Sequence, residues 1–220
     1  VGAVPPDLAP LFAGWRDILD SHRGFDLGAL ATAEALGRGT GAPVVATTVS
    51  RMVVDCNRSL GHPGLFSEIT KKLPRSGRTA ILEAYYHPHR QAVTMAVAGL
   101  LEAGRTVLHL ACHSFTPRLG GITRHCDVGL LYNPGRMAEK AFCLAWLEEM
   151  SSLDGERILR RNYPYRGVAD GLTTSLRRRF GEGYLGVELE VNQRFAWGGE
   201  ASLEVLNDLL LTALRRVWLR

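Results

Sequence analysis

Several things are scarce in this 220-residue chain, and each scarcity excludes something. There are four cysteines, Cys56, Cys112, Cys126 and Cys143, and no two of them form a C-x-x-C pair, so a structural zinc knuckle is not expected. Cys56 and Cys112 sit inside apolar runs, where a free cysteine behaves as a small hydrophobe, and a reducing, cytoplasmic setting suits them. No apolar run approaches the roughly 20 residues that a membrane-spanning helix needs. The opening VGAVPPDLAP has no charged segment followed by an apolar stretch, so it does not read as a signal peptide, and it lacks an initiator Met. Neither internal repeats nor low-complexity tracts are visible. Aromatic residues make up 8% of the chain and do not interleave with the Arg clusters at 157–161, 177–179 and 215–220, which argues against a nucleic-acid binder despite a net charge of +4.

What is present suits one α/β domain with a sizeable core: 46% hydrophobic and 22% charged residues. Residues 7–20 read as a short helix. Asp26 to Leu36 reads as another, with Asp26 as a possible cap and Gly37 at its end. The β-branched run Pro43–Val49 reads as a strand, and 59–77 as a long surface loop. Pro88 suits the first turn of a helix reaching about Ala103, with Val93, Val97, Leu100 and Leu101 on one face. Arg105–Cys112 and Asp127–Tyr132 read as strands, Met137–Met150 as a helix, 162–172 as a loop, Tyr184–Val191 as a strand and Leu203–Leu219 as an amphipathic helix. Alternating strands and helices predict a mostly parallel sheet covered on both faces, with ligands at the carboxyl ends of its strands.

Polar clusters fall at those strand ends. In SRMVVDCNR, residues 50–58, Arg51, Asn57 and Arg58 offer charge-assisted donors that can grip a carboxylate. In LACHSF, His113 leaves an apolar strand, where a neutral imidazole is either a metal ligand or a hydrogen-bonded structural residue. In GVELEVNQ, Glu188 and Glu190 lie two apart and share a strand face, as an acid/base pair or as a solvent-facing edge. YYHPHR places Tyr86, His89 and Arg90 near a helix start, where an anion is favoured. NYPYRGVADG, 162–171, reads as a substrate-covering loop.

Taken in order, SRMVVDCNR, YYHPHR, CHSFTP, RHCDVGLLYNP, NYPYRGVADG and YLGVELEVNQ resemble the N-formylglutamate amidohydrolase family over about residues 22–195. The resemblance implies a three-layer, phosphorylase/hydrolase-like α/β fold with a mostly parallel or mixed sheet, related to aspartoacylase and zinc carboxypeptidases. It implies a zinc ion and hydrolysis of a small anionic N-acyl amino acid, such as N-formylglutamate. By the same resemblance Asn57 and Arg58, with Arg51, bind the substrate carboxylate, and His113 is a zinc ligand. Glu190, in preference to Glu188, is the general base. Asp26, with His22 nearby, is the candidate carboxylate ligand, its other reading being a helix cap. Tyr86, His89, Arg124 and Arg166 complete the expected substrate-binding set, Arg124 or Arg166 as oxyanion helpers. Family members carry a Cys-Glu-His-Gly-Gly-like stretch ahead of VPPDLAPLF, so the expectation is a single domain, 1–220, lacking a first strand and part of its metal site. The alternatives are a carboxypeptidase-like or other N-deacylase activity and a non-catalytic anion-binding domain.

Overall fold

The structure, a computed structural model, describes residues 2–218. The first segment is broken rather than one helix: a 3-10 turn at Ala9–Phe12 and a single turn, α1, at Arg16–Leu19. Helix α2 is Ala29–Thr40. It starts after Gly28 and runs through Gly37 to Gly41, whose left-handed φ of 73° ends it. Asp26 is thus not the cap residue, which frees its carboxylate. The expected loop over 59–77 ends at Pro74, where α3 begins; it holds a 3-10 turn at Thr70–Lys72 and buries its own Leu65, Ile69 and Thr70. Helix α3, Arg75–Ile81, passes through a π turn at Leu82–Tyr86 into α4, His87–Glu102, which buries Val93 and Val97.

Strand β1 is Val107–Phe115, three residues longer at its carboxyl end than its apolar run suggested, so His113 lies within the strand. A small hairpin follows, β2 Arg118–Leu119 and β3 Ile122–Thr123. Then come β4 Val128–Leu131, α5 Met137–Leu153 and β5 Leu159–Arg161. Helix α6, Leu172–Phe180, is absent from the sequence reading, and so is β5; both are short and carry several Arg residues, which hides their periodicity. β6 is Tyr184–Asn192, α7 Arg194–Trp197 and α8 Glu200–Trp218.

The main sheet has the order β1-β6-β4-β5. β1 runs parallel to β6 and β4 parallel to β5, while β4 is antiparallel to β6. This mixed α/β sheet has helices on both faces. On one, Leu108, Leu110 and Cys112 of β1 join Val187, Leu189 and Val191 of β6 in a core with Trp146 and Met150 of α5 and Leu206 and Leu210 of α8. The i, i+3, i+7, i+10, i+11 spacing of Leu203, Leu206, Leu210, Ala213 and Leu214 puts the α8 stripe on this face. On the other face Val107 and Tyr184 pack with Val93 and Val97 of α4 and Leu172 and Leu176 of α6. Alternation along the strands therefore sends His109, His113, Glu188 and Glu190 toward the α4 and α6 side.

The expected strand at Pro43–Val49 does not form. Val49 makes an isolated bridge with Ala3, with the Ala3 N–H on the Thr48 carbonyl and the Ser50 N–H on the Ala3 carbonyl, both at 2.8 Å. A β-branched run becomes a strand when another strand supplies a ladder, and among the described residues none lies beside 43–48. β1, for its part, pairs along one edge only among the described residues. Both segments line a cavity of about 410 Å³ whose wall also includes α2 and α4.

Candidate active site

Asp26 lies just ahead of α2, and its two oxygens have separate partners. Oδ1 accepts from Arg51 Nη1 at 2.9 Å, and Oδ2 meets His113 Nδ1 at 2.7 Å. Arg51 also donates through Nη2 to Asp55 Oδ2 at 2.9 Å. Burial would raise the Asp26 carboxyl, but the Arg51 charge and the His113 hydrogen bond hold it down at about 2. Asp26 and Asp55 together keep Arg51 firmly protonated against its burial.

The SRMVVDCNR segment stays in place because Met52, Val53, Val54 and Cys56 are buried in a core beneath the loop. Asp55 Oδ1 accepts the Asn57 N–H at 3.0 Å, a local turn that aims Asn57 at β1. The Leu172 N–H donates to Asn57 Oδ1 at 2.7 Å, which fixes the amide so that Nδ2 faces His113 Nε2 at 3.4 Å. Burial alone would lower the His113 pKa, yet the hydrogen bond to Asp26 and the charges of Asp26, Glu190 and Glu188 raise it to about 9. A protonated ring would nevertheless set Nε2–H against the Asn57 NH₂, two donors facing each other. The hydrogen-bond geometry favours the tautomer with Nδ1–H on Asp26 and a lone pair on Nε2.

Glu190 sits opposite His113 in the β1–β6 register. It is 4% exposed, and its Oε2 has no hydrogen-bond partner. Burial raises its pKa to about 8, with the Asp26 and Glu188 charges adding; only a protonated His113 would oppose them. Glu188, opposite Ala111, accepts at Oε1 from Thr173 Oγ1 at 2.8 Å. A carboxyl that changes protonation near neutrality, beside an imidazole lone pair, is equipped to take a proton and return it.

Arg58 donates to the Asp170 carbonyl at 3.0 Å, and the Ser59 N–H donates to Asp170 Oδ2 at 2.9 Å. Behind them the Tyr86 hydroxyl and Arg90 Nη1 donate to the Arg58 carbonyl, and Arg90 also reaches the Cys56 carbonyl. The Tyr86 hydroxyl therefore supports the loop carrying Arg58. His89 lines the cavity with Asp26, Arg51, Asn57 and His113; its Nδ1 is buried and unpartnered, and burial lowers its pKa. Arg124 donates to the Tyr165 hydroxyl at 3.4 Å and lies over the Tyr165 ring, bridging the β2–β3 hairpin to the 162–171 loop. Its charge reaches His22, whose pKa is lowered by burial and then by Arg124. Arg166 is exposed on the same loop.

Asp26, Arg51, Asn57, His113 and Glu190 thus form one contiguous group across segments far apart in the chain. Glu188 and Arg58 adjoin it at Gly171 and Asp170, while Arg124 and Arg166 stand at the loop that borders it. Sequence reasoning gave no role to Asp55, although it lies inside the DCNR motif. It placed Asp170 in the 162–171 loop without a role of its own and gave none to Leu172 or Thr173, although the polar DGLTT run closes that loop.

The model of the N-formylglutamate amidohydrolase family matches residues 2–196. Among solved structures, the chain is similar to the gene product Atu2144 from Agrobacterium tumefaciens, at 29% identity and a TM-score of 0.81, covering 98% of this chain and 87% of that one. It shares its fold with N-formylglutamate amidohydrolase from Ralstonia eutropha JMP134, at 21% identity and a TM-score of 0.63, covering 86% and 81%. No curated protein matches it. With the family's model spanning most of its length, the chain belongs to the N-formylglutamate amidohydrolase family.

Proposed function

We propose that this amidohydrolase-family chain cuts the amide of a small anionic N-acyl amino acid, N-formylglutamate foremost, to the free amino acid and a carboxylic acid. The observation that carries this reading is Glu190: a buried carboxyl with an unpartnered oxygen, opposite an imidazole that Asp26 orients. In this reading Glu190 takes a proton from water as the oxygen attacks the acyl carbon, then delivers it to the leaving amine. Asn57 and Arg58, with Arg51, hold the substrate carboxylate. Arg58 gives Nη1 to the Asp170 carbonyl and has Nε 3.8 Å from Asp55 Oδ2, which leaves Nη2 to face a ligand. Arg124 or Arg166 supports the developing oxyanion.

The family resemblance brings zinc with it, and a bound zinc would supply Lewis acidity at the scissile carbonyl and its water. Among the described residues no group of three or more His, Cys, Asp or Glu is placed to hold a metal ion, whereas a catalytic zinc takes three protein ligands. The described residues alone therefore do not fit such an ion. His113 Nε2 is the ligand they offer, and Asp26, with both oxygens engaged, has the form of the carboxylate that orients a metal-binding imidazole. Arg51 and His113 line the same cavity as 43–49 and β1.

The test is formate release from N-formyl-L-glutamate with zinc supplied, in wild type and Glu190→Gln. The substitution is expected to lower kcat about 10²–10⁴-fold with a small change in KM. Wild-type kcat in Glu190→Gln would sink the assignment. A panel of formyl, acetyl and peptide substrates separates this reading from a carboxypeptidase-like or other N-deacylase.

A further inference from the structure

One short piece of chain, Asp170 to Thr173, touches two of the groups assigned above to substrate binding, Asn57 and Arg58, and the strand carboxylate Glu188. The Asp170 carbonyl takes Arg58 Nη1, and its carboxylate takes the Ser59 N–H. The Leu172 N–H donates to Asn57 Oδ1 and thereby turns the Asn57 NH₂ toward His113 Nε2. Thr173, fully buried, donates to Glu188 Oε1. Gly171 stands between the two side chains: a Cβ there would lie 3.0 Å from Glu188 Oε1 and 3.2 Å from Asn57 Oδ1. Its φ of 179° is open to any residue, so the requirement for glycine is steric and not conformational.

The segment is itself rigidly held. Arg177, buried one turn further along α6, donates to the Gly167 carbonyl and to the Gly186 carbonyl of β6, both at 2.6 Å, and pairs with the buried Glu139 at 2.9 Å. The loop before Asp170 is thus pinned to the sheet through the same helix that begins at Leu172.

We propose that Asp170, Gly171 and Thr173 are positioning residues for the reaction. As one unit they index Arg58, Asn57 and Glu188 against His113. The contacts stand by themselves; their kinetic consequence rests on the amide-hydrolysis reading. A displacement of about 1 Å in such groups costs on the order of 10²-fold in rate. Gly171→Ala pushes on the flexible ends of two side chains and leaves the backbone conformation allowed. It is expected to keep the wild-type urea midpoint while kcat/KM for N-formyl-L-glutamate falls about 10–100-fold. The ¹⁵N resonances of His113 Nε2 and Asn57 Nδ2 are expected to move.

Asp170→Ala removes the acceptor for Ser59 and is expected to raise KM more than it lowers kcat, with Asp170→Asn, which retains an acceptor oxygen, restoring KM. Should Gly171→Ala fail to fold, the Asp170 pair decides. Unchanged kinetics and unchanged resonances in Gly171→Ala would overturn the proposal. So would loss of activity only in proportion to a lowered urea midpoint, or no difference between Asp170→Ala and Asp170→Asn. If wild type releases no formate, the substrate reading fails separately. The resonances then decide the positioning alone, moved supporting it and unmoved rejecting it.

Discussion

At the scale of single residues, the site depends on what burial does to each titrating group. His109, four residues before His113 on β1, meets the Tyr184 hydroxyl at 2.8 Å. Burial lowers its pKa from 6.5 to about 4, with the His113, His89 and Arg177 charges adding in the same direction. The folded chain therefore holds it neutral where the unfolded chain would bind a proton. Stability from this group is complete above pH 6.5 and is lost as pH falls from 6.5 toward 4. Urea midpoints measured across that range should decline with acidification in wild type and decline less steeply in His109→Gln. Equal slopes would remove His109 from the account.

At the scale of elements, α5, α6 and β6 are joined by a buried ion network. Glu139 on α5 is fully buried and pairs with Arg177 of α6 and Arg136 ahead of α5, at 2.9 and 3.1 Å. It also accepts from the Gly186 and Asn133 N–H groups. A buried pair contributes little over an apolar replacement, but removing one partner strands the other's charge. Glu139→Ala should cost about 3–5 kcal/mol in urea unfolding, and the double variant Glu139→Leu with Arg177→Met should recover part of it. The sequence hid this network, since a Glu in a helix and an Arg in a basic run both read as surface residues. Only the crossing of α6 over β6 brings them together.

At the scale of the molecule, the open slot along β1 makes the sheet asymmetric. Among the described residues β4 and β6 are paired on both sides, whereas the two edges are unequal, nine residues in β1 and three in β5. Hydrogen exchange should find the outward amides of β1 exchanging faster than those of β4 and β6, because their opening needs no loss of a ladder. Equal protection across the three strands would show the slot to be closed in solution. The sequence by itself determined the α/β class, the long helices and the interior strands, because helical and strand periods in apolar residues are local and follow from backbone geometry. It also determined which chemistry was present: the DCNR donors, the strand histidine His113 and two carboxylates on one strand face. Tertiary structure decided the rest. Whether 43–49 becomes a strand depends on a neighbour, not on its own β-branched residues. That Asp26 orients an imidazole and does not cap a helix, and that Glu190 is the buried carboxyl while Glu188 is tied to Thr173, are set by partners 15 to 87 residues away. Hydrogen bonds and burial of that kind act through space, so no local pattern in the chain records them.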